Sequence, residues 1–195
     1  MSDVFWCKNC VVISTRPRVT FDERGFCPAC RWAEQKAKLD WSKRSKLLED
    51  LLNKHRSKDK PFDCMSTVSG GKDGSYVSYN LKHKHNMNPL AVTIRPPTET
   101  NIGRKNLNNF VQSGYNHLLV SPDVEAMREL NKLGLTEMGN PYFGWMTSVQ
   151  TAPLRIAVQF DIPLVFYGED GEVEYGGDAK NKNDGIYGVD YIKSI

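Results

Sequence analysis

The stretch Phe62-Asp63-Cys64-Met65-Ser66-Thr67-Val68-Ser69-Gly70-Gly71-Lys72-Asp73-Gly74-Ser75 decides how the rest of the chain is read. Residues 62–68 make a short, mainly apolar run of the kind that a buried strand uses. A Gly-rich turn follows, and then a helix predicted to run to about Lys84. Two adjacent glycines let the backbone approach an oxyanion without β-carbons in the way. A helix that starts there aims its unpaired N–H groups, and the positive end of its dipole, at the same place. Ser69 and Ser75 can add hydroxyl donors, and Lys72 a positive charge. The spacing is not Gly-x4-Gly-Lys-Ser/Thr, and no Gly-x-Gly-x-x-Gly occurs in the chain.

Outward from this turn, strand and helix alternate. Leu90–Ile94 is predicted as a second strand, Asn101–Ser113 as a helix and His117–Val120 as a third strand. A helix from Pro122 to about Leu133 places the proline in the first turn, where no N–H is needed. A longer helical stretch covers Gly144–Gln159, and Pro163–Tyr167 closes the pattern as a short apolar strand. Repeated strand–helix units predict an α/β domain, a parallel sheet with helices on both faces and ligands at the carboxyl ends of its strands.

Toward the amino terminus the cysteines dominate. Four of the five occur as Cys7-x2-Cys10-x16-Cys27-x2-Cys30. Two such knuckles suit one tetrahedral zinc ion with two thiolates from each. Two disulfides do not suit a chain whose start, Met1–Cys7, lacks a basic segment and a long apolar one, and two paired knuckles at this spacing favour metal over a pair of redox dithiols. Four thiolates leave no open position, so the zinc is expected to build structure. Some thirty residues bury little core, and metal binding supplies the missing folding energy.

These signals divide the chain into a zinc-binding knuckle module at 1–31, a helix and basic linker at 32–61, and an α/β domain at 62–195. Ala37, Trp41, Leu48, Leu51 and Leu52 form one amphipathic stripe in the middle segment, and the polar run Lys54–Pro61 marks its end. Residues 178–185 read as a mobile loop.

The 195 residues are 39% hydrophobic and 25% charged, which excludes disorder, collagen and coiled coil as descriptions of the whole. No apolar run reaches the roughly 18–20 residues of a membrane span, and the chain is expected to be cytoplasmic with no membrane partner. Residues 1–60 hold 14 basic and 8 acidic side chains, a balance of +6; residues 61–195 hold 12 and 15, a balance of −3. Such a basic segment can be a nucleic-acid arm, but a solvated helix face is the commoner outcome.

The motif Ser-Gly-Gly-Lys-Asp-Gly-Ser at 69–75 resembles the pyrophosphate loop of the PP-loop ATP pyrophosphatase superfamily, usually Ser-Gly-Gly-x-Asp-Ser. Gly74 stands where that form has serine, and Ser75 is displaced by one. The zinc knuckles, the segment Thr98–Leu107 and Gly168-Glu169-Asp170 followed by Glu174-Tyr175-Gly176-Gly177 resemble one branch, the N-acetyl sugar amidotransferases of bacterial surface-polysaccharide synthesis, which includes lipopolysaccharide O-antigen. The resemblance covers nearly the whole chain.

It implies conversion of an acetamido group on a nucleotide-linked sugar into an acetamidino group, with ATP and ammonia. It implies ATP and magnesium bound by Ser69, Gly70, Gly71, Asp73, Gly74 and Ser75, with Asp73 and Lys72 as catalytic residues and Glu169 and Asp170 touching ATP, metal or sugar. Members run longer at the carboxyl end, so 62–195 is expected to be truncated there. A separate glutaminase is expected to supply ammonia, since the chain shows no glutaminase cysteine. The rival reading is a PP-loop enzyme that thiolates tRNA, which the basic first 60 residues fit better; nucleic acid is otherwise not an expected partner.

Cys64 is expected as a buried small hydrophobe. His55, His83, His85 and His117 show no partner in sequence, and Tyr142, Phe143, Trp145 and Met146 read as core before they read as a pocket floor.

Overall fold

The computed structural model describes residues 3–16 and 19–168. Two compact units divide between Lys43 and Arg44.

The first unit is organised by its cysteines. An antiparallel bridge pairs Trp6 with Ile13, and Cys7 N donates to Val12 O at 2.8 Å, so the chain doubles back around Cys10. Helix α1, Pro28–Ala37, has Cys27 as its N-cap and Pro28 in its first turn. Cys7, Cys27 and Cys30 are buried, with Val12, Val19, Phe21 and Phe26 packed around them.

The single helix expected between the cysteines and the linker is two helices. After α1 ends, the Asp40 carboxylate accepts a hydrogen bond from Lys43 N at 2.9 Å, the contact of an N-cap, and α2 runs over Trp41–His55. The residues expected as a linker are tied into the second unit. Leu48 and Leu52 join its core. Arg56 donates to His85 O at 2.6 Å and to Asn86 O at 2.7 Å, and Ser57 N donates to the buried Asp63 carboxylate at 2.7 Å.

The second unit is α/β. Strand β1 is Cys64–Thr67, followed by helix α3 over Lys72–Tyr79 and a π-helical turn over Asn80–Lys84. Next come β2 (Pro89–Ile94), α4 (Asn101–Gln112), β3 (Asn116–Val120), α5 (Val124–Met138), α6 (Phe143–Gln159) and β4 (Val165–Phe166). All pairings are parallel and the order is β3-β2-β1-β4; Met65 lies opposite Leu90 on one side and Val165 on the other. Every residue of β2 is buried, as suits a strand covered on both faces.

Side chains alternate between those faces. Met65, Leu90, Val92 and Ile94 pack with Ile156 and Ala157 of α6. On the opposite face Cys64 packs with Leu52 of α2 and Leu81, Ala91 packs with Phe110 of α4, and Ser66 bonds Ser78 of α3. Helices thus cover both faces.

Several predicted boundaries shift, among them the end of α5, which runs past the expected Leu133 to Met138. Pro122 stands outside α5, because Asp123 caps that helix through Ala126 N at 2.8 Å. The strand expected over 163–167 pairs only at Val165 and Phe166. Among the described residues no helix is long and apolar enough to cross a membrane.

Helices α5 and α6 meet through glycines. A β-carbon on Gly134 would lie 2.3 Å from Phe143 Cβ and 2.5 Å from Asn140 O, so the packing requires its absence. Gly134→Ala is therefore expected to lower unfolding stability by about 1–3 kcal/mol, measured from the urea midpoint; an unchanged midpoint would contradict this packing.

Candidate phosphate-binding loop and metal centre

The order β3-β2-β1-β4 has its switch point between β1 and β4. The chain leaves β1 toward β2 on one side and returns as β4 on the other. Connections diverge at such a point and leave a crevice at the carboxyl ends of the strands, where α/β proteins bind ligands. The Gly-rich turn lies at the carboxyl end of β1, at this switch point.

Each part of the turn is held by a different neighbour. Val68 N continues the ladder to Val92 O at 2.9 Å, while Val68 O accepts from the Thr93 hydroxyl at 2.6 Å. Gly70 then takes a left-handed backbone, φ +81°, and a β-carbon there would lie 2.6 Å from Leu107 N in α4. Glycine is required twice over, for its φ and for the approach of α4. Gly71 is the N-cap of α3, with extended backbone; a β-carbon there would meet only Ser69 Oγ, at 3.2 Å. Ser69 Oγ accepts from Gly71 N at 3.3 Å.

Gly74 stands in the first turn of α3 with its missing β-carbon 2.5 Å from Thr67 O. A side chain there would push α3 off the end of β1, so Gly74 serves helix–strand packing. Gly168, just past β4, would place a β-carbon 2.7 Å from Gly74 N. The ends of β1 and β4 and the start of α3 therefore meet backbone to backbone.

Ser69, Gly71, Lys72 and Asp73 are exposed, and Gly74 and Ser75 are half-buried. Asp73 lies in the first turn of α3, favourable to the helix dipole, and is not its N-cap. Its carboxylate pairs with Lys72 Nζ at 2.5 Å. Behind the loop Ser78 Oγ lies 2.8 Å from both Ser66 Oγ and Gly74 O, a buried hydroxyl contact joining α3 to β1. Six of the eight residues expected to bind nucleotide thus fall within 69–75 at one strand end. Glu169 and Asp170 lie outside the described residues, as do residues 174–185.

Sequence reading missed two histidine contacts. His117 Nε2 is 2.8 Å from Thr93 Oγ1, and His85 Nδ1 is 3.0 Å from Glu49 Oε2. Their partners lie 24 and 36 residues away, so no local pattern announces them. Cys64 is fully buried, and desolvation together with the Asp63 charge pushes its thiol up to about 12.

The first unit holds the second site. Cys7, Cys10, Cys27 and Cys30 bring their sulfurs within 4.8 Å of one another, with Cys7–Cys30 at 3.8 Å and Cys10–Cys27 at 3.5 Å. Zinc–sulfur bonds of about 2.3 Å in a tetrahedron set sulfurs about 3.8 Å apart. A disulfide would need about 2.05 Å. The four sulfurs can therefore share one metal ion such as zinc.

Local bonding differs among the thiols. Burial works to raise Cys7, but N–H bonds from Cys27, Asn9 and Cys10 outweigh it and lower the thiol to about 6. At Cys30 an Asn9 side-chain bond acts downward, yet burial and the neighbouring thiols prevail and push it up to about 12. Four thiolates this close repel one another, so full deprotonation needs a cation among them.

Comparison with known protein families finds no match, and comparison with curated proteins finds none either.

Two outcomes follow. Purified protein is expected to carry about one zinc per chain, and chelation or Cys27→Ser to unfold the first unit, read from its amide signals; metal-free protein with those signals intact would contradict the centre. Within the loop, Gly70→Ala and Gly74→Ala are expected to destabilise the second unit by about 1–3 kcal/mol, with Gly71→Ala costing less than either; thermal unfolding in which Gly71→Ala is the most damaging would contradict the geometry.

Proposed function

We propose that this chain is an ATP-dependent amidotransferase of the PP-loop type, acting on the acetamido group of a nucleotide-linked sugar in surface-glycan synthesis. The observation that carries it is the Gly-rich turn at the switch point, locked from three sides while Ser69, Gly71, Lys72 and Asp73 stay exposed. The motif resemblance adds the reaction type, cleavage of ATP between its α and β phosphates.

The chemistry is consistent with such a loop. An amide carbonyl is a poor electrophile because its oxygen is a poor leaving group. Transfer of AMP to that oxygen releases pyrophosphate and makes a leaving group, and ammonia then displaces AMP to give the amidine. The loop's task is to grip the pyrophosphate as charge grows on it, which fixed donors do without reorganising. Lys72 adds positive charge at the rim. Asp73 offers a hard oxygen ligand and is the residue that would hold magnesium, which when bound neutralises phosphate charge. Glu169 and Asp170 are further candidates for ATP, metal or sugar contact.

Zinc at the four cysteines would be structural, having no open position. Those cysteines and the buried, high-pKa Cys64 leave no thiol in this sequence suited to glutamine hydrolysis, so ammonia would come from a separate glutaminase. The same burial weighs against the tRNA-thiolating alternative, which would need an accessible cysteine near the loop.

The test is pyrophosphate release from magnesium-ATP with an acetamido nucleotide-sugar and ammonium, with tRNA, or with neither. Release that requires sugar and ammonium is expected. Gly71→Val is expected to abolish ATP binding in calorimetry with the fold retained, since its extended backbone accepts a β-branched residue that blocks phosphate approach. Release that requires tRNA, or native ATP affinity in Gly71→Val, would overturn the proposal.

A further inference from the structure

The loop's first anchor is a chain of three groups across three strands. Thr93, on β2, is 3% exposed. Its hydroxyl is 2.6 Å from Val68 O and 2.8 Å from His117 Nε2 on β3. A hydroxyl has one proton and a carbonyl oxygen can only accept. The Thr93 proton therefore goes to Val68 O, and His117 Nε2 must carry the proton donated to Thr93 Oγ1. The direction of the whole chain is fixed: His117 Nε2–H to Thr93 Oγ1–H to Val68 O.

Val68 is where β1 stops being a strand. Its N–H still donates to Val92 O, but its carbonyl is held by a side chain. The plane of the Val68–Ser69 peptide is thereby set by Thr93, and Ser69, Gly70 and Gly71 spring from that plane. We propose that His117 and Thr93 are positioning residues for the phosphate loop, holding its entry peptide so that the N–H groups of Ser69 and Gly70 face a phosphate. Their role as positioning residues for a ligand rests on reading the loop as a nucleotide site; the contact itself does not.

Packing alone does not account for Thr93. Every other member of β2 is apolar or proline, so a hydroxyl at this buried place calls for a partner, and it has two. Valine is the isosteric residue a β2 built only for packing would use. The histidine points the same way: burial holds it below the usual histidine value, so it is neutral near pH 7 and keeps one proton to donate.

The experiment uses the full 195-residue chain, with magnesium-ATP affinity by calorimetry and the backbone amide spectrum of the free protein as separate readouts. Thr93→Val is expected to weaken ATP roughly tenfold, the equivalent of about 1.4 kcal/mol, and to move the amide signals of Ser69, Gly70 and Gly71. Thr93→Ser keeps the hydroxyl and is expected to restore both. His117→Phe, on the strand at the end of the described sheet, is expected to act in the same direction as Thr93→Val, with His117→Gln restoring a donor; this second pair serves if Thr93→Val does not fold. Ile156→Val, a packing change on the opposite face, is expected to leave the loop signals in place. Loop signals and affinity unchanged in both Thr93→Val and His117→Phe would overturn the proposal. Loop signals that move in Thr93→Val and return in Thr93→Ser support the anchor even if the native chain binds no ATP, a result that would overturn the nucleotide reading alone.

Discussion

The second unit depends on one close approach: the amino end of α3 seats directly on the carboxyl end of β1. Gly74 makes it possible, because Thr67 O occupies the place its β-carbon would take. Once helix and strand meet this closely, the four residues between them have little freedom, and Gly70 must adopt a left-handed backbone against α4. The same seat brings Gly168, beyond β4, against Gly74. A single backbone contact therefore sets the loop and the meeting of two strand ends. Ligand chemistry at this place would exploit what the fold needed anyway.

Much of this was legible in the sequence because its signals are local. The run 62–68, the paired glycines and the alternation of apolar strands with helical stretches each lie within a few residues, and the parallel sheet follows from them. The spacing of Cys7, Cys10, Cys27 and Cys30 is local in the same sense. What escaped was set through space. Thr93 reads as an ordinary β-branched strand residue, and His117 as a strand opener, until β2 and β3 are placed side by side. The packing role of Gly74 shows only once Thr67 O is seen beneath it. Pro122 suits a first helical turn, but the Asp123 carboxylate competes for the cap and wins. The break between α1 and α2 has a similar cause in Asp40, whose side chain outweighs an apolar stripe that runs on past it. Glu169 and Asp170 lie outside the described residues.

The two units solve the stability problem differently. The second buries Leu, Val, Ile and Met on both faces of a sheet. The first has its cysteine sulfurs at its centre, with a few valines and phenylalanines around them, so its order is tied to what those sulfurs hold. Backbone N–H groups already point at Cys7 from Asn9 and Cys27, an arrangement that favours thiolate there before a metal is considered.

Titration of the isotope-labelled chain with magnesium pyrophosphate, with every backbone amide followed, asks whether phosphate binds at the turn after β1. Saturable changes concentrated at Ser69–Ser75 and Gly168 are expected, with the signals of the cysteine unit unmoved. Changes spread over the basic residues of α2, or none that saturate, would contradict a phosphate site at this turn.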